Sequence, residues 1–172
     1  MERRVLAKQI NEISRLTGEF ILHSGGVSTT YFDKYKFESF PELLQEIATQ
    51  ASLLIPKDTE VLAGLIMGGI PIATVLSQVS GLPTVFVRKE AKEYGTCRLA
   101  EGIDIRDKNV LVIEDVISKG GQVATSTLAL RKLGSHIESA LCIIDRREGY
   151  RGILETVDVK VISLFTSEEL SQ

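Results

Sequence analysis

Five short, nearly unbroken apolar runs constrain this fold more than anything else in the chain. They are EVLAGLI (60–66), PTVFVRK (83–89), NVLVIEDV (109–116), IESALCIIDR (137–146) and VKVISLF (159–165). A strand with one wet face alternates apolar and polar residues, so a continuous run requires cover on both faces. Helical patterns supply that cover. IPIATVLSQVSG reads as a helix stopping at Gly81, and Gln122–Leu133 as a second, closed by Gly134. Ahead of them, residues 2–16 place Leu6, Ile10, Ile13 and Leu16 at helical spacing. Residues 41–55 do the same with Leu44, Ile47, Ala51 and Leu54; Pro41 suits that helix's first turn, and Ser39 with Glu42 has capping-box spacing. The expectation is an α/β fold, a central mostly parallel sheet flanked by helices, with residues 1–172 as one domain.

Bulk properties narrow the function. A net charge of −3 over 172 residues argues against a general nucleic-acid surface. The charged start, MERRVLAKQINEISR, is not a signal peptide, and no segment reaches the roughly 18 apolar residues of a membrane span. Cys97 and Cys142 lack C-x-x-C spacing and read as two reduced thiols of a cytoplasmic protein.

In an open parallel sheet ligands sit beyond the carboxyl ends of the strands. The first run ends near Gly68-Gly69, where backbone N–H groups can approach an anion, or where the chain merely turns tightly. The second ends in RKEAKEYGTCRLAEG: Arg88, Lys89, Lys92 and Arg98 make either a basic lid over phosphates or a solvated charged loop. The third ends in VLVIEDVISKGGQ, two adjacent carboxylates followed by a glycine turn into a helix. The pleat sends such neighbours to opposite sides, so one can face a ligand and the other a loop or a cation. Ser118, the glycine N–H groups and the helix dipole form a phosphate cradle, and acid pair plus cradle suits a sugar phosphate. The fourth ends in DRREG, where an arginine fork can take a carboxylate or close a surface ion pair.

VLVIEDVISKGG resembles the phosphoribosyl-pyrophosphate (PRPP) motif of the type I phosphoribosyltransferases. GEFILHSGGVSTTYFDKY, GGIPIA, FVRKEAKEYGT, DRREG and VISLFTSEEL narrow the resemblance to the orotate phosphoribosyltransferases, in order and over nearly the whole chain. The resemblance implies a type I phosphoribosyltransferase fold with a small N-terminal hood and a flexible catalytic loop. It implies transfer of the phosphoribosyl group from PRPP to orotate, giving orotidine 5-monophosphate and pyrophosphate, as in pyrimidine biosynthesis. Glu114 and Asp115 would hold the ribose hydroxyls, and Val116, Ile117, Ser118, Lys119, Gly120, Gly121 and Gln122 would wrap the 5-phosphate. Arg88, Lys89 and Lys92 would sit on the pyrophosphate, with His23, Gly68 and Tyr94 also at the PRPP site. Arg88, Lys92, Glu114 and Asp115 would carry catalysis. Phe32, Ser118 and Arg146 would bind orotate. Mg²⁺ would be held mainly by PRPP and water, with no direct protein ligand. A homodimer sharing its active sites is implied, with Arg88 and the loop reaching into the partner's site.

The chain departs from the family pattern at His23 (usually Lys or Arg), Tyr94 (usually His), Gly68 (Lys in some members), Lys119 (a small residue) and Gln122 (Ser, Thr or Ala). Lys119 can point to solvent, add charge to the 5-phosphate, or crowd the loop. Two further readings stand beside orotate transfer: a phosphoribosyltransferase for another base, and a PRPP-binding regulatory protein of the same fold with little turnover.

Overall fold

The structure is a computed structural model and describes residues 1–21, 25–90, 99–149 and 152–171. Its centre is a six-stranded sheet built from β3 (Val61–Leu65), β4 (Thr84–Val87), β5 (Ala100–Glu101), β6 (Val110–Ile117), β7 (Ser139–Asp145) and β8 (Lys160–Thr166), in the order β5-β4-β3-β6-β7-β8. Every neighbouring pair is parallel except β4–β5, which is antiparallel at the edge. The five apolar runs are the five parallel strands, as the two-faced cover requires. All five residues of β3 are buried.

Successive residues of β6, buried almost throughout, join alternate core clusters and so assign its faces. Leu111 and Ile113 join one core cluster with Leu6, Ile10, Phe37, Ile47 and Ile72. Val110 and Val112 join the other with Val123, Leu130 and Leu154. The first face is therefore covered by α1 (Arg3–Ser14), α2 (Lys34–Glu38), α3 (Pro41–Ser52) and α4 (Gly69–Ser80), and the second by α5 (Gly121–Lys132) and α6 (Gly152–Thr156). A last helix, α7 (Ser167–Ser171), follows β8 and buries Leu170 against the first cluster.

The N-terminal expectations need correction. The first helix ends at Ser14, and Leu16 belongs instead to β1 (Arg15–Ile21), which pairs antiparallel with β2 (Val27–Phe32). Ladder pairing of Leu16 with Tyr31 outcompetes one further helical turn, and the Asp33 N–H donates to the Ser14 carbonyl at 2.8 Å to close the hairpin against the helix. The second long helix ends at Ser52 rather than residue 55. Its N-cap is Phe40, without a side-chain cap, so Ser39 and Glu42 form no capping box. Ser39 is already engaged: its hydroxyl donates to the Tyr35 carbonyl at 2.7 Å and closes α2.

That short helix matters to the site. Phe37 is fully buried, worth about 1.5–3 kcal/mol relative to exposure, and fastens α2 to the sheet. Lys34 and Glu38, at i and i+4, lie on a common helix face beside it.

Candidate active site

The chain leaves β3 toward β4 on one side and leaves β6 toward β7 on the other. This is the point where an open α/β sheet forms a crevice at its carboxyl edge. Three sheet segments meet there: the β3–α4 turn, the β6–α5 turn, and the end of β7. The β1–β2 hairpin and α2 form the facing wall. Between that wall and the ends of β6 and β7 lies a cavity of about 640 Å³ whose lining includes Phe32, Lys34, Val116, Ser118 and Arg146.

The β6–α5 turn has the local features of an anion cradle. Gly120 adopts φ +78°, a left-handed conformation that lets the chain reverse between Ser118 and the first turn of α5. A side chain at 120 would also meet Leu154 at 2.6 Å. The Ala124 N–H bonds the Gly120 carbonyl, and the N–H groups of the preceding first-turn residues face outward at the positive end of a 12-residue helix. Ser118, Lys119, Gly121 and Gln122 are exposed along this turn, so Lys119 does not crowd it. Val116 is half-buried against the cavity. Ile117 is buried in the second core, leaving its backbone alone at the edge; its carbonyl accepts from the Arg146 N–H at 2.8 Å. The Gln122 side chain is committed elsewhere. Its amide donates to the Ile66 carbonyl at 2.6 Å and so ties the cradle to the β3–α4 turn.

In the acid pair one member faces a cation, as the pleat allows, and the other turns back: the Glu114 carboxyl accepts from the Asp115 N–H at 3.1 Å. Asp115 is fully buried and meets a cation from α2: Lys34 Nζ lies 3.0 Å from Oδ1 and 2.8 Å from Oδ2. Glu38, one turn after Lys34 on α2, completes the cluster close enough for the charge of Asp115 to act on it. Burial, then the charge and hydrogen bonding of Asp115, push Glu38 up to about 9. Burial and then the hydrogen bond with Asp115 do the same to Glu114, also up to about 9. For Lys34 burial works downward, but the hydrogen bond and charge of Asp115 outweigh it and hold the ammonium above its ordinary value. The β3–α4 turn touches the same carboxylate. A Cβ on Gly68 would lie 1.7 Å from Asp115 Oδ2, so the backbone at 68 approaches Asp115 as closely as only glycine permits.

The two arginines of DRREG divide their work. Arg147 forks onto Asp145 at 2.9 and 2.7 Å and forms the ion pair. Burial raises Asp145, but the Arg147 side-chain and backbone hydrogen bonds prevail and hold it below the usual carboxylate range. Arg146 has no carboxylate partner among the described residues; its guanidinium lies 6.0 Å from the centre of the Phe32 ring. Phe32, Ser118 and Arg146 thus come together in one cavity, although their elements are far apart in sequence.

At the other end of the crevice the Arg88 side chain bends toward the sheet edge, its Nε 3.4 Å from Glu101 Oε1, and the Arg88 N–H bonds the Leu99 carbonyl. Lys89 is exposed. His23, Lys92 and Tyr94, with most of the expected catalytic loop, lie outside the described residues. Lys34, Glu38 and the cavity-lining Arg15 were missed by the sequence reading. The i,i+4 pair in DKYKFE was visible for the first two, but a Lys–Glu pair at that spacing ordinarily marks a solvated face. Cys142 is buried in the core, where burial raises its thiol, and it takes no part in the site.

Comparison with known proteins places this geometry among relatives. A model of the phosphoribosyl transferase domain matches residues 36–166. An orotate phosphoribosyltransferase of Nocardioides is 47% identical, covering 96% of this chain and 92% of that protein. One from Methanocella arvoryzae is 44% identical over 89% of this chain and 87% of its own. Among solved structures, the Mycobacterium tuberculosis orotate phosphoribosyltransferase in complex with Fe(III) dicitrate superposes with a TM-score of 0.85 at 27% identity, covering 99% of both chains. The Aeropyrum pernix enzyme superposes with a TM-score of 0.81 at 29% identity, covering 96% of this chain and 95% of that one.

Proposed function

The chain belongs to the phosphoribosyl transferase domain family, among the orotate phosphoribosyltransferases, and from that premise we propose that it converts orotate and PRPP to orotidine 5-monophosphate and pyrophosphate. The observation that carries the choice of base is Arg146, without a carboxylate partner among the described residues, beside Phe32 and Ser118 in the cavity next to the acid cluster. A planar acidic pyrimidine fits such a wall: the ring lies along Phe32 and its carboxylate meets the guanidinium fork.

The remaining parts follow from the same crevice. The first-turn N–H groups of α5 and the Ser118 hydroxyl take the 5-phosphate. Glu114 and Asp115 accept from the ribose hydroxyls. The bond from C1 to the diphosphate loosens before the base nitrogen bonds, so positive charge grows on the ribose beside the Asp115 carboxylate while negative charge grows on the leaving group. Arg88, Lys89 and Lys92 are the cations for that leaving group, and loop closure over it keeps water from consuming PRPP. Each preorganised donor of this kind contributes about 3–4 kcal/mol, on the scale of an oxyanion-hole hydrogen bond.

Mg²⁺ belongs to this reading as the ion carried by the diphosphate. The donor set fits that arrangement, since the acid cluster at the strand end already holds the Lys34 ammonium and the diphosphate oxygens supply the ligands. When bound, the ion neutralises charge on the departing diphosphate. A cytoplasmic homodimer is part of the same proposal, with residues 1–172 as one domain. The turn of Arg88 toward Glu101, away from the acid pair of its own chain, supports a role in the partner's site. No helix among the described residues is long and apolar enough to cross a membrane.

The test is pyrophosphate release from PRPP and Mg²⁺ across a panel of bases. Release with orotate alone is expected. Release with another base in place of orotate reassigns the base, and PRPP binding without release for any base replaces the enzyme with a binding protein.

A further inference from the structure

Three carboxyl groups, Glu38, Glu114 and Asp115, share the surroundings of one ammonium at the strand end, and only one of the three, Asp115, has that ammonium within 3.0 Å of both its oxygens. We propose that Lys34 is a positioning residue for the transferase reaction: from α2 it fixes the Asp115 carboxylate as the acceptor for the ribose, and Glu38 beside it carries one of the protons that the cluster retains. The inference rests on the reading that the strand-end carboxylates take the ribose hydroxyls.

The geometry assigns the charges. Asp115 is fully buried, with the Lys34 ammonium at 2.8 and 3.0 Å and the Val116 N–H donating to Oδ1 at 2.6 Å. Ionised carboxylates in mutual contact repel, so a cluster with a single cation keeps protons on the members that the cation does not hold. Glu38 is such a member: its Oε1 and Asp115 Oδ2 are both buried without a hydrogen-bond partner, but Oδ2 has the Lys34 ammonium at 2.8 Å, whereas no cation pairs with Glu38 among the described residues, an arrangement tolerable for a neutral carboxyl and costly for an anion. The groups facing Asp115 are few. The α2 segment contributes Lys34 and Glu38, with Asp33 and Tyr35 acting on these two, and β6 contributes Glu114. The β3–α4 turn brings only the backbone of Gly68 against the carboxylate.

Removing the cation leaves three carboxyl groups together with no ammonium among them, and the Asp115 carboxylate loses the partner that holds it as an acceptor for the ribose. Binding of PRPP with Mg²⁺, measured by titration calorimetry from pH 6 to 9, tests this. Lys34→Met is expected to weaken binding at neutral pH about tenfold to a hundredfold, the scale of one hydrogen bond to a charged group. Affinity should recover in part as pH rises, and in part at neutral pH in Lys34→Met/Glu38→Gln, where one competing carboxyl is gone. A purely structural role gives no such rescue. Lys34→Gln carries the same test if the methionine variant does not fold, and Lys34→Arg should stay nearest to the unsubstituted protein. Undiminished binding in Lys34→Met or Lys34→Gln overturns the inference while leaving the transferase reading intact. A double variant weaker than the single at every pH also overturns it. Absence of PRPP binding in the unsubstituted protein removes the ribose reading itself, and the inference with it.

Discussion

Gly68→Ala is the most demanding perturbation of this site, because one methyl group reaches the carboxylate on which the ribose reading depends. The new Cβ would lie 1.7 Å from Asp115 Oδ2, 2.3 Å from Cγ and 3.0 Å from Cβ. Rotating the carboxylate cannot relieve the last contact, and the side chain is fully buried, so the turn and the strand end must separate. Overpacking of this kind costs about 1–3 kcal/mol. Moving Asp115 also strips it from Lys34; breaking a buried pair costs about 3–5 kcal/mol, and the partial exposure of Lys34 puts this pair at the lower end. A total of about 4–6 kcal/mol lowers the melting temperature by about 8–24 °C for a chain of this size. Gly121→Ala is the control, since nothing lies within 4 Å of its added Cβ; its stability should stay within about 0.5 kcal/mol of the parent. Both are measured by urea and thermal unfolding, with PRPP affinity by calorimetry. A Gly68→Ala protein that melts with the parent and binds PRPP equally would refute the argument, because Asp115 would then not be fixed against the turn. Equal destabilisation of Gly121→Ala would refute crowding as the cause.

Three further outcomes are expected. Arg146→Ala should raise the KM for orotate about tenfold to a hundredfold, the scale of one charged hydrogen bond, with little change in the KM for PRPP; an equal rise in both would contradict its assignment to the base. Gln122→Ala should cost no more than about 0.5–1.5 kcal/mol of stability, since the residue is exposed, but should weaken pyrophosphate more than orotidine 5-monophosphate in product inhibition, because the Ile66 carbonyl loses its tie to α5. Stability should fall as pH rises: Glu38 and Glu114 are raised from 4.5 to about 9, so the folded chain holds protons that the unfolded chain releases. That contribution is fully present below about pH 4.5 and is lost as pH passes about 9. Denaturation midpoints across this window should decline, and Glu38→Gln should flatten the decline.

The pattern of the chain carried much of this molecule. Five apolar runs without alternation specify strands covered on both faces, because periodicity is a local property that burial reads residue by residue. Glycines and acids at the strand ends mark the carboxyl edge, because sheet topology delivers every parallel strand end to the same side. What the N-terminal pattern missed is where local and non-local forces compete: Leu16 has helical spacing, yet ladder pairing with Tyr31 takes it into a strand. Ser39 has capping spacing, yet closes the helix before it.

The chemistry of the site depended on contacts that no window of sequence contains. Lys34 and Asp115 are 81 residues apart, and Gln122 and the Ile66 carbonyl 56 apart. Which arginine of DRREG is tied to Asp145 and which remains beside Phe32 depends on side-chain direction at the end of β7, where adjacent positions look alike in sequence. Sequence by itself determined that carboxylates and a glycine turn would stand at the sheet edge, since that follows from strand direction alone. Only the tertiary structure decided which carboxylate meets a cation, because the fold brings a lysine over from another element into a buried, low-dielectric cluster.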